Sequence, residues 1–161
     1  MSSKSVQQLL QLCRQQNLAL RTAESCTAGA VAAHIASVAG ASDVLDRGWI
    51  TYSNQAKIDE LGVPEAALLA HGAVSQAVVE AMAQGGASEN AVCVALSGIA
   101  GPGGGSVEKP VGTVWIAACW PGQRLVSHCY HFSGDRAAVQ KQAVEQAIQM
   151  LWRLILTQVD D

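Results

Sequence analysis

The chain alternates between segments with apolar residues at helical spacing and short, continuous apolar runs. Val6, Leu9, Leu10 and Cys13 recur three or four positions apart, which predicts an amphipathic helix over residues 5–16. The longest pattern of this kind covers residues 136–156. Further helices are predicted over residues 30–38, 55–61 and 77–84, the last two with Asn54 and Ser75 as N-caps.

Short apolar runs between these helices predict strands at residues 18–22, 48–52 and 91–96. Two later runs, residues 111–120 and 125–132, are separated by a turn at residues 121–124 and predict an antiparallel hairpin. Strands and helices alternate before this hairpin. The pattern therefore predicts one α/β domain over residues 1–161, with a mixed sheet that helices cover on both faces.

Composition excludes several classes of protein. The chain has 161 residues, of which 50% are hydrophobic and 14% charged, so intrinsic disorder is excluded. A net charge of −3 argues against a nucleic-acid partner, and no apolar run approaches the roughly 20 residues that span a membrane. Five cysteines without metal-ligand spacing, in a chain with no visible secretory signal, predict a cytoplasmic protein with reduced thiols and no metal site.

The first segment with candidate chemistry is Glu24-Ser25-Cys26-Thr27, at a predicted strand-to-helix junction. A serine there exposes its hydroxyl beside free backbone N–H groups, which are the donors that a developing oxyanion requires. The alternative is that Ser25 or Thr27 only caps the helix, and from this segment alone the capping role is favoured.

The second candidate is Lys57. If Asn54 caps the helix, Lys57 lies in its first turn, where the helix dipole disfavours a cation, and such local conflicts are typical of functional sites. A general base would need a pKa lowered from about 10.4 to about 7–8, and the dipole supplies only about 0.3–1 kcal/mol. Desolvation would have to supply the rest. The alternative is an exposed lysine with an ordinary pKa.

The third candidate is the glycine-rich segment SGIAGPGGGSVEKP at residues 97–110. Its glycines allow close backbone approach, which favours an N–H-lined site for an anion such as phosphate. It matches neither a P-loop nor a dinucleotide-binding fingerprint, and the alternative is a flexible hairpin loop.

The histidines offer no equally good base. His71 is predicted in a loop, and no spacing supports a triad of Ser25, His71 and Asp59. A lysine is then the natural substitute, because Ser-Lys pairs are a known variant of the triad.

These segments, taken together, resemble the CinA C-terminal domain family, whose stand-alone members include the PncC-type nicotinamide-nucleotide amidases. The motifs that carry the resemblance are AESCTAG (residues 23–29), RGWITYSNQAK (47–57), HGAVS (71–75), SGIAGPGGGSVEKPVGTVW (97–115) and FSGDR (132–136). One departure is Ala28, where many relatives have glycine.

The resemblance implies a three-layer α/β/α sandwich with a mixed, mostly parallel sheet of about five or six strands. It also implies hydrolysis of the carboxamide of nicotinamide mononucleotide, giving nicotinate mononucleotide and ammonia, in pyridine-nucleotide salvage. The family's catalytic group maps onto Ser25, Tyr52 and Lys57.

The remaining site residues are expectations built on this assignment. Support for the site and its oxyanion is expected from Glu24, Cys26 and Thr27, and substrate contacts from Ser97, Gly98, Gly101, Gly104, Gly105, Ser106, Lys109 and Thr113. Tyr52 either relays protons or positions Lys57. No cofactor is implied, and a homo-oligomer is expected, most simply a dimer. Two alternatives stay open: a nucleotide-binding module without turnover, and a hydrolase of another small amide.

Overall fold

The computed structural model describes residues 3–122 and 124–159. Met1, Ser2, Asp160 and Asp161 of the predicted domain, and Gln123 of the predicted hairpin turn, lie outside the described residues. The helices are α1 (Ser3–Gln15), α2 (Ala30–Ala36), α3 (Asn54–Leu61), α4 (Glu65–His71), α5 (Gln76–Gly86) and α6 (Arg136–Val159). The strands are β1 (Ala19–Glu24), β2 (Leu45–Ile50), β3 (Ala91–Gly98), β4 (Thr113–Trp120) and β5 (Arg124–His131).

The described strands form a mixed sheet in the order β2-β1-β3-β4-β5. The pairs β1–β2 and β1–β3 are parallel, whereas β3–β4 and β4–β5 are antiparallel. Four strands consequently point in one direction and β4 points in the other. The register aligns Glu24, the last residue of β1, with Ile50 of β2 and Leu96 of β3, so these three strands end at the same edge.

Helices cover the sheet on both faces, which confirms the predicted α/β/α sandwich. One core lies between the sheet and helices α1, α2 and α6, with Leu9, Ile35 and Leu151 among its buried side chains. The other lies under α3, α4 and α5, with Val79 and Met82 at its centre. Strand β3 contributes to both cores and is buried from Ala91 to Ser97, which explains its continuous apolar run.

The structure corrects three local predictions. Residues 65–71 form helix α4, so His71 ends a helix and does not lie in a loop. Helix α3 is capped by Ser53 instead of Asn54, because the extended backbone of Ser53 lets its Oγ accept a hydrogen bond from the Ala56 N–H at 3.0 Å. Strand β2 ends at Ile50, so Tyr52 lies in the connection that follows.

Within the described ranges, no helix has the length and apolar character needed to cross a membrane. All five cysteines are free thiols, and four of them are buried.

Candidate active site

A cavity of about 260 Å³ opens at the carboxyl edge of β1, β2 and β3, where the connections after these strands meet. Sites in open α/β sheets gather at this edge. Predicted catalytic residues and part of the glycine-rich loop line the cavity together: Ser25, Cys26, Tyr52, Lys57, Ser97, Gly98, Gly101 and Gly104. A larger groove, about 500 Å³, lies between β5 and α6, but it is lined by none of the predicted site residues.

The loop between β1 and α2 is organised by Glu24. This buried carboxylate accepts hydrogen bonds from the Thr27 hydroxyl at 2.7 Å and from the N–H groups of Val31 and Ala32 at 2.9 and 3.1 Å. The free N–H groups at the start of α2 therefore donate to a carboxylate outside the helix, and neither the Ser25 nor the Thr27 side chain caps the helix. The capping alternative for Ser25 is wrong.

This arrangement leaves donors available next to Ser25. The Ser25 N–H is paired with the Leu96 carbonyl at 3.1 Å, and the Ala28 N–H with the Ser25 carbonyl at 3.1 Å. By contrast, neither the Cys26 N–H nor the Thr27 N–H donates a backbone hydrogen bond among the described residues. Unpaired N–H groups beside a nucleophile are what an oxyanion site needs.

Ala28 adopts a left-handed backbone conformation, with φ of 47°. A side chain in this region costs on the order of 1–2 kcal/mol, so the tight turn is strained at Ala28. The turn forms nonetheless and keeps Ser25 at the cavity wall.

Lys57 is the most unusual side chain of the cavity, because it is 1% exposed and sits in the first turn of α3. Its Nζ lies 3.1 Å from the Ser25 Oγ, 2.8 Å from the Thr51 carbonyl and 3.2 Å from the Tyr52 carbonyl. No carboxylate forms an ion pair with it in the described part of the chain. The alternative of an exposed lysine is wrong.

Burial lowers the pKa of Lys57, because the ammonium form loses its hydration without gaining a counter-charge. An ammonium would donate to all three of these oxygens, whereas a neutral amine has only two N–H donors and one lone pair. Its two N–H groups can donate to the Thr51 and Tyr52 carbonyls, which leaves the nitrogen lone pair to face the Ser25 hydroxyl. Ser25 and Lys57 therefore lie at the hydrogen-bond distance that a nucleophile and its general base require.

Tyr52 contributes to this pair through its backbone. Its side chain is 57% exposed, and its hydroxyl accepts a hydrogen bond from Arg136 Nη2 at 3.0 Å. Arg136 Nη1 also donates to the Gly101 carbonyl at 2.8 Å. The Tyr52 hydroxyl has no hydrogen bond to Ser25 or Lys57 among the described contacts.

The predicted substrate-binding residues separate into two groups. Ser97, Gly98, Gly101 and Gly104 line the cavity, whereas Gly105, Ser106, Lys109 and Thr113 do not. Lys109 donates from Nζ to the His71 carbonyl at 2.7 Å, and Thr113 donates to the Pro110 carbonyl at 2.6 Å, so both hold the glycine-rich loop in place. The roles of all eight with a substrate stay predictions.

Gly98 is required sterically where β3 becomes the loop. A Cβ at this position would lie 2.6 Å from Val114 Cγ2 and 2.8 Å from the Thr113 carbonyl oxygen. The loop can follow its path over the cavity because this residue has no side chain.

Sequence reasoning missed Arg136 as a cavity residue, along with Asn54, Ala73, Val74, Ile99, Ala100 and Gly103. For Arg136 a signal existed: like Lys57, it is a cation in the first turn of a helix, against the helix dipole. The described ranges contain no group of three or more His, Cys, Asp or Glu side chains that could hold a metal ion.

Comparison with known proteins assigns the family. The sequence model of the CinA C-terminal domain matches residues 2–155. The chain belongs to the CinA C-terminal domain family. A curated relative from Escherichia coli K12, named nicotinamide-nucleotide amidohydrolase PncC, is 48% identical over 158 residues, covering 92% of this chain and 96% of that protein.

Other members of the CinA family are longer. The CinA-like protein of Syntrophobacter fumaroxidans is 48% identical over 144 residues, which cover 88% of this chain, and the chain spans about a third of its length (34%). Among solved structures, competence/damage inducible protein CihA from Agrobacterium tumefaciens superposes with a TM-score of 0.90 at 37% identity, covering 94% of each chain. The CinA fold therefore extends over nearly the whole chain.

Proposed function

We propose that this protein hydrolyses the carboxamide of nicotinamide mononucleotide to nicotinate mononucleotide and ammonia. The observation that carries the proposal is the buried Lys57 amine, 3.1 Å from the Ser25 hydroxyl and without a carboxylate partner in the described structure. The stand-alone relative of nearly equal length, named a nicotinamide-nucleotide amidohydrolase, supports the choice of substrate.

In the first half of the reaction, Ser25 Oγ bonds to the carboxamide carbon while its proton passes to the neutral Lys57 Nζ. The electron pair of the C=O bond moves to the oxygen, and the N–H groups at Cys26 and Thr27 are the donors best placed in sequence to hold this oxyanion. The C–N bond then breaks. Lys57 returns its proton to the departing nitrogen, which leaves as ammonia.

In the second half, water attacks the ester formed on Ser25. Lys57, neutral again, accepts a proton from the water as its oxygen bonds to the acyl carbon, and the proton then returns to Ser25 Oγ as the ester bond breaks. The products are nicotinate mononucleotide and the restored serine. Both halves use the same base, so the pair needs no metal ion or organic cofactor.

The outer part of the cavity supports a phosphorylated substrate. Arg136 presents a guanidinium at the cavity wall, and guanidinium groups bind phosphate through paired N–H donors. Ala73, Val74 and Ile99 provide apolar surface in the same cavity, which suits a pyridine ring. We assign Arg136 to the phosphate in place of Lys109, because Arg136 lines the cavity and Lys109 does not.

We also propose that the reaction belongs to pyridine-nucleotide salvage and takes place in the cytoplasm. The pathway follows from the proposed product, which is a nicotinate nucleotide. Free thiols at all five cysteines are consistent with a reducing compartment such as the cytoplasm.

The proposal is tested by measuring ammonia release from nicotinamide mononucleotide by the wild-type protein and by Ser25→Ala. We expect turnover by the wild type and a loss of at least about 10³-fold in the variant, because the nucleophile is removed. Ser37→Ala is the matched control, since its exposed hydroxyl bonds the His34 carbonyl on α2, away from the cavity.

Three results would contradict the proposal. Near-normal turnover by Ser25→Ala would exclude the serine as nucleophile. Stabilisation of the wild type by nicotinamide mononucleotide without ammonia release would identify a binding module, and release of ammonia only from other amides would identify a different substrate.

A further inference from the structure

The first turns of α6 connect to the loops that follow all three parallel strands. Arg136 bonds Gly101 after β3 and Tyr52 after β2, and Gln140 Nε2 donates to the Cys26 carbonyl after β1 at 3.0 Å. Arg136 and Gln140 are four residues apart, so they lie on the same face of the helix. The contact of Gln140 is made to the residue directly after the nucleophile.

The orientation of this carbonyl matters for an oxyanion beside Ser25. In a planar trans peptide, the Cys26 carbonyl and the Thr27 N–H point in opposite directions. If the peptide rotated, the negative end of its dipole would replace the N–H on the side where negative charge develops. A hydrogen bond that holds the carbonyl on the α6 side prevents this rotation.

The bond from Gln140 is not needed to form the loop itself. The Glu24 carboxylate already accepts three hydrogen bonds from Thr27, Val31 and Ala32, and the Ala28 N–H closes the turn on Ser25. None of these bonds involves the Cys26 carbonyl. Cys26 itself is a poor candidate for chemistry, because burial raises the pKa of its thiol to about 11.

We propose that Gln140 is a positioning residue, which holds the Cys26–Thr27 peptide so that its N–H side is available to the oxyanion formed on Ser25. This inference rests on the proposed amidase function. It assigns to Gln140 a role in turnover and not in substrate binding, since its amide acts through the backbone.

The test replaces Gln140 with methionine, which has a similar size but no N–H donor. We expect kcat for ammonia release from nicotinamide mononucleotide to fall about 10- to 100-fold, which does not exceed the fall in kcat caused by removing a direct oxyanion donor. KM should change less than about twofold. Gln142→Met is the matched control, because Gln142 lies on the same helix and bonds the Ser133 and Ala138 carbonyls instead.

A second measurement separates positioning from a general structural role. Pyridine-3-boronic acid can form a tetrahedral, negatively charged adduct with Ser25, and we expect its affinity to fall about 10-fold or more in Gln140→Met. Affinity for the product, nicotinate mononucleotide, and the thermal unfolding midpoint should stay at wild-type values.

The inference would be overturned if Gln140→Met released ammonia as fast as the wild type. It would also be overturned if the variant lost product affinity and turnover to the same extent. If the methionine variant does not fold, Gln140→Asn replaces it, since it keeps the amide but is one methylene too short to reach the Cys26 carbonyl, and the same losses are expected. A wild-type protein that releases no ammonia would refute the proposed function instead. The boronate comparison would then decide the role of Gln140 separately.

Discussion

The cavity has an inner part at Lys57 and an outer part at Arg136, and the two parts differ in how they hold a basic side chain. Lys57 and Arg136 both lie in the first turn of a helix, where the dipole disfavours a cation. Lys57 is buried among backbone carbonyls, and burial lowers its pKa. Arg136 is exposed at the rim, where it bonds Gly101 and Tyr52.

The difference follows from the chemistry of the two groups. An amine can lose its proton when it is desolvated, so burial shifts Lys57 toward the neutral form that a base requires. A guanidinium stays charged under all ordinary conditions, so Arg136 can only attract anions. A site that needs both a base and an anion-binding group can therefore use one residue of each type, provided that the lysine is placed inside and the arginine outside.

The largest effect is expected from removing the amine of Lys57. Lys57→Met keeps the length of the side chain but removes the nitrogen, so kcat should fall by about 10²–10⁴-fold, the range for a lost general base. Affinity for nicotinate mononucleotide should change little, because the amine contacts Ser25 and backbone carbonyls. Single-turnover ammonia release and product titration measure the two quantities, and the exposed Lys141→Met is a control on the long helix.

The sign of the pH dependence is set by the lowered pKa of Lys57. The folded protein binds this proton less tightly than the unfolded chain does, so between the lowered pKa and about 10.5 the unfolding free energy rises with pH. Lys57→Met lacks this contribution, and its stability relative to wild type should decrease as pH rises through that window.

The same lowered pKa predicts the pH–rate profile of the wild type. Its kcat/KM should rise with an apparent pKa below 10.5, and a rise only at or above 10.5 would contradict the base assignment.

A smaller effect is expected from the outer cation. Arg136→Met should raise KM for nicotinamide mononucleotide about 10- to 100-fold, the equivalent of about 1.5–3 kcal/mol for a hydrogen bond to a charged group. Nicotinamide riboside lacks the phosphate and should be hardly affected by the substitution. Equal losses with both substrates would assign Arg136 a structural role, and Arg153→Met, farther along α6, is the control.

The contrast between the two parts also explains what sequence could predict. The apolar runs of β3 and the periodicity of α6 predicted those elements because burial alone determines them. Helix α4 was missed because seven residues behind Pro64 are too few to establish a period. Lys57 was recognised by its conflict with the helix dipole, and the same conflict at Arg136 went unused.

The contacts that complete the site have no local signal. Gln140 and Cys26 are far apart in sequence, and nothing in the pattern around either residue indicates that they meet. The burial of Lys57 depends likewise on how α3 packs on the sheet. The sequence therefore indicates which residues conflict with local helix preferences, whereas the tertiary structure determines what each of them contacts.

Tyr52 belongs to both parts, and the smallest predicted effect distinguishes its two possible roles. Its carbonyl accepts a hydrogen bond from Lys57, but its exposed hydroxyl accepts one from Arg136. Tyr52→Phe removes only the second contact. If the hydroxyl orients Arg136, KM should rise about 2- to 5-fold with kcat unchanged, as expected for an exposed hydrogen bond worth about 0.5–1 kcal/mol.

The double variant Tyr52→Phe/Arg136→Met tests this role further. Because the hydroxyl then has no guanidinium to orient, the tyrosine substitution should have no effect in the Arg136→Met background, and the two changes should be non-additive. A proton relay predicts otherwise: kcat would fall by 10-fold or more (the order of a lost acid–base group) in either background. Measuring kcat and KM for the four proteins therefore decides whether the hydroxyl of Tyr52 orients the guanidinium of Arg136 or relays a proton to the amine of Lys57.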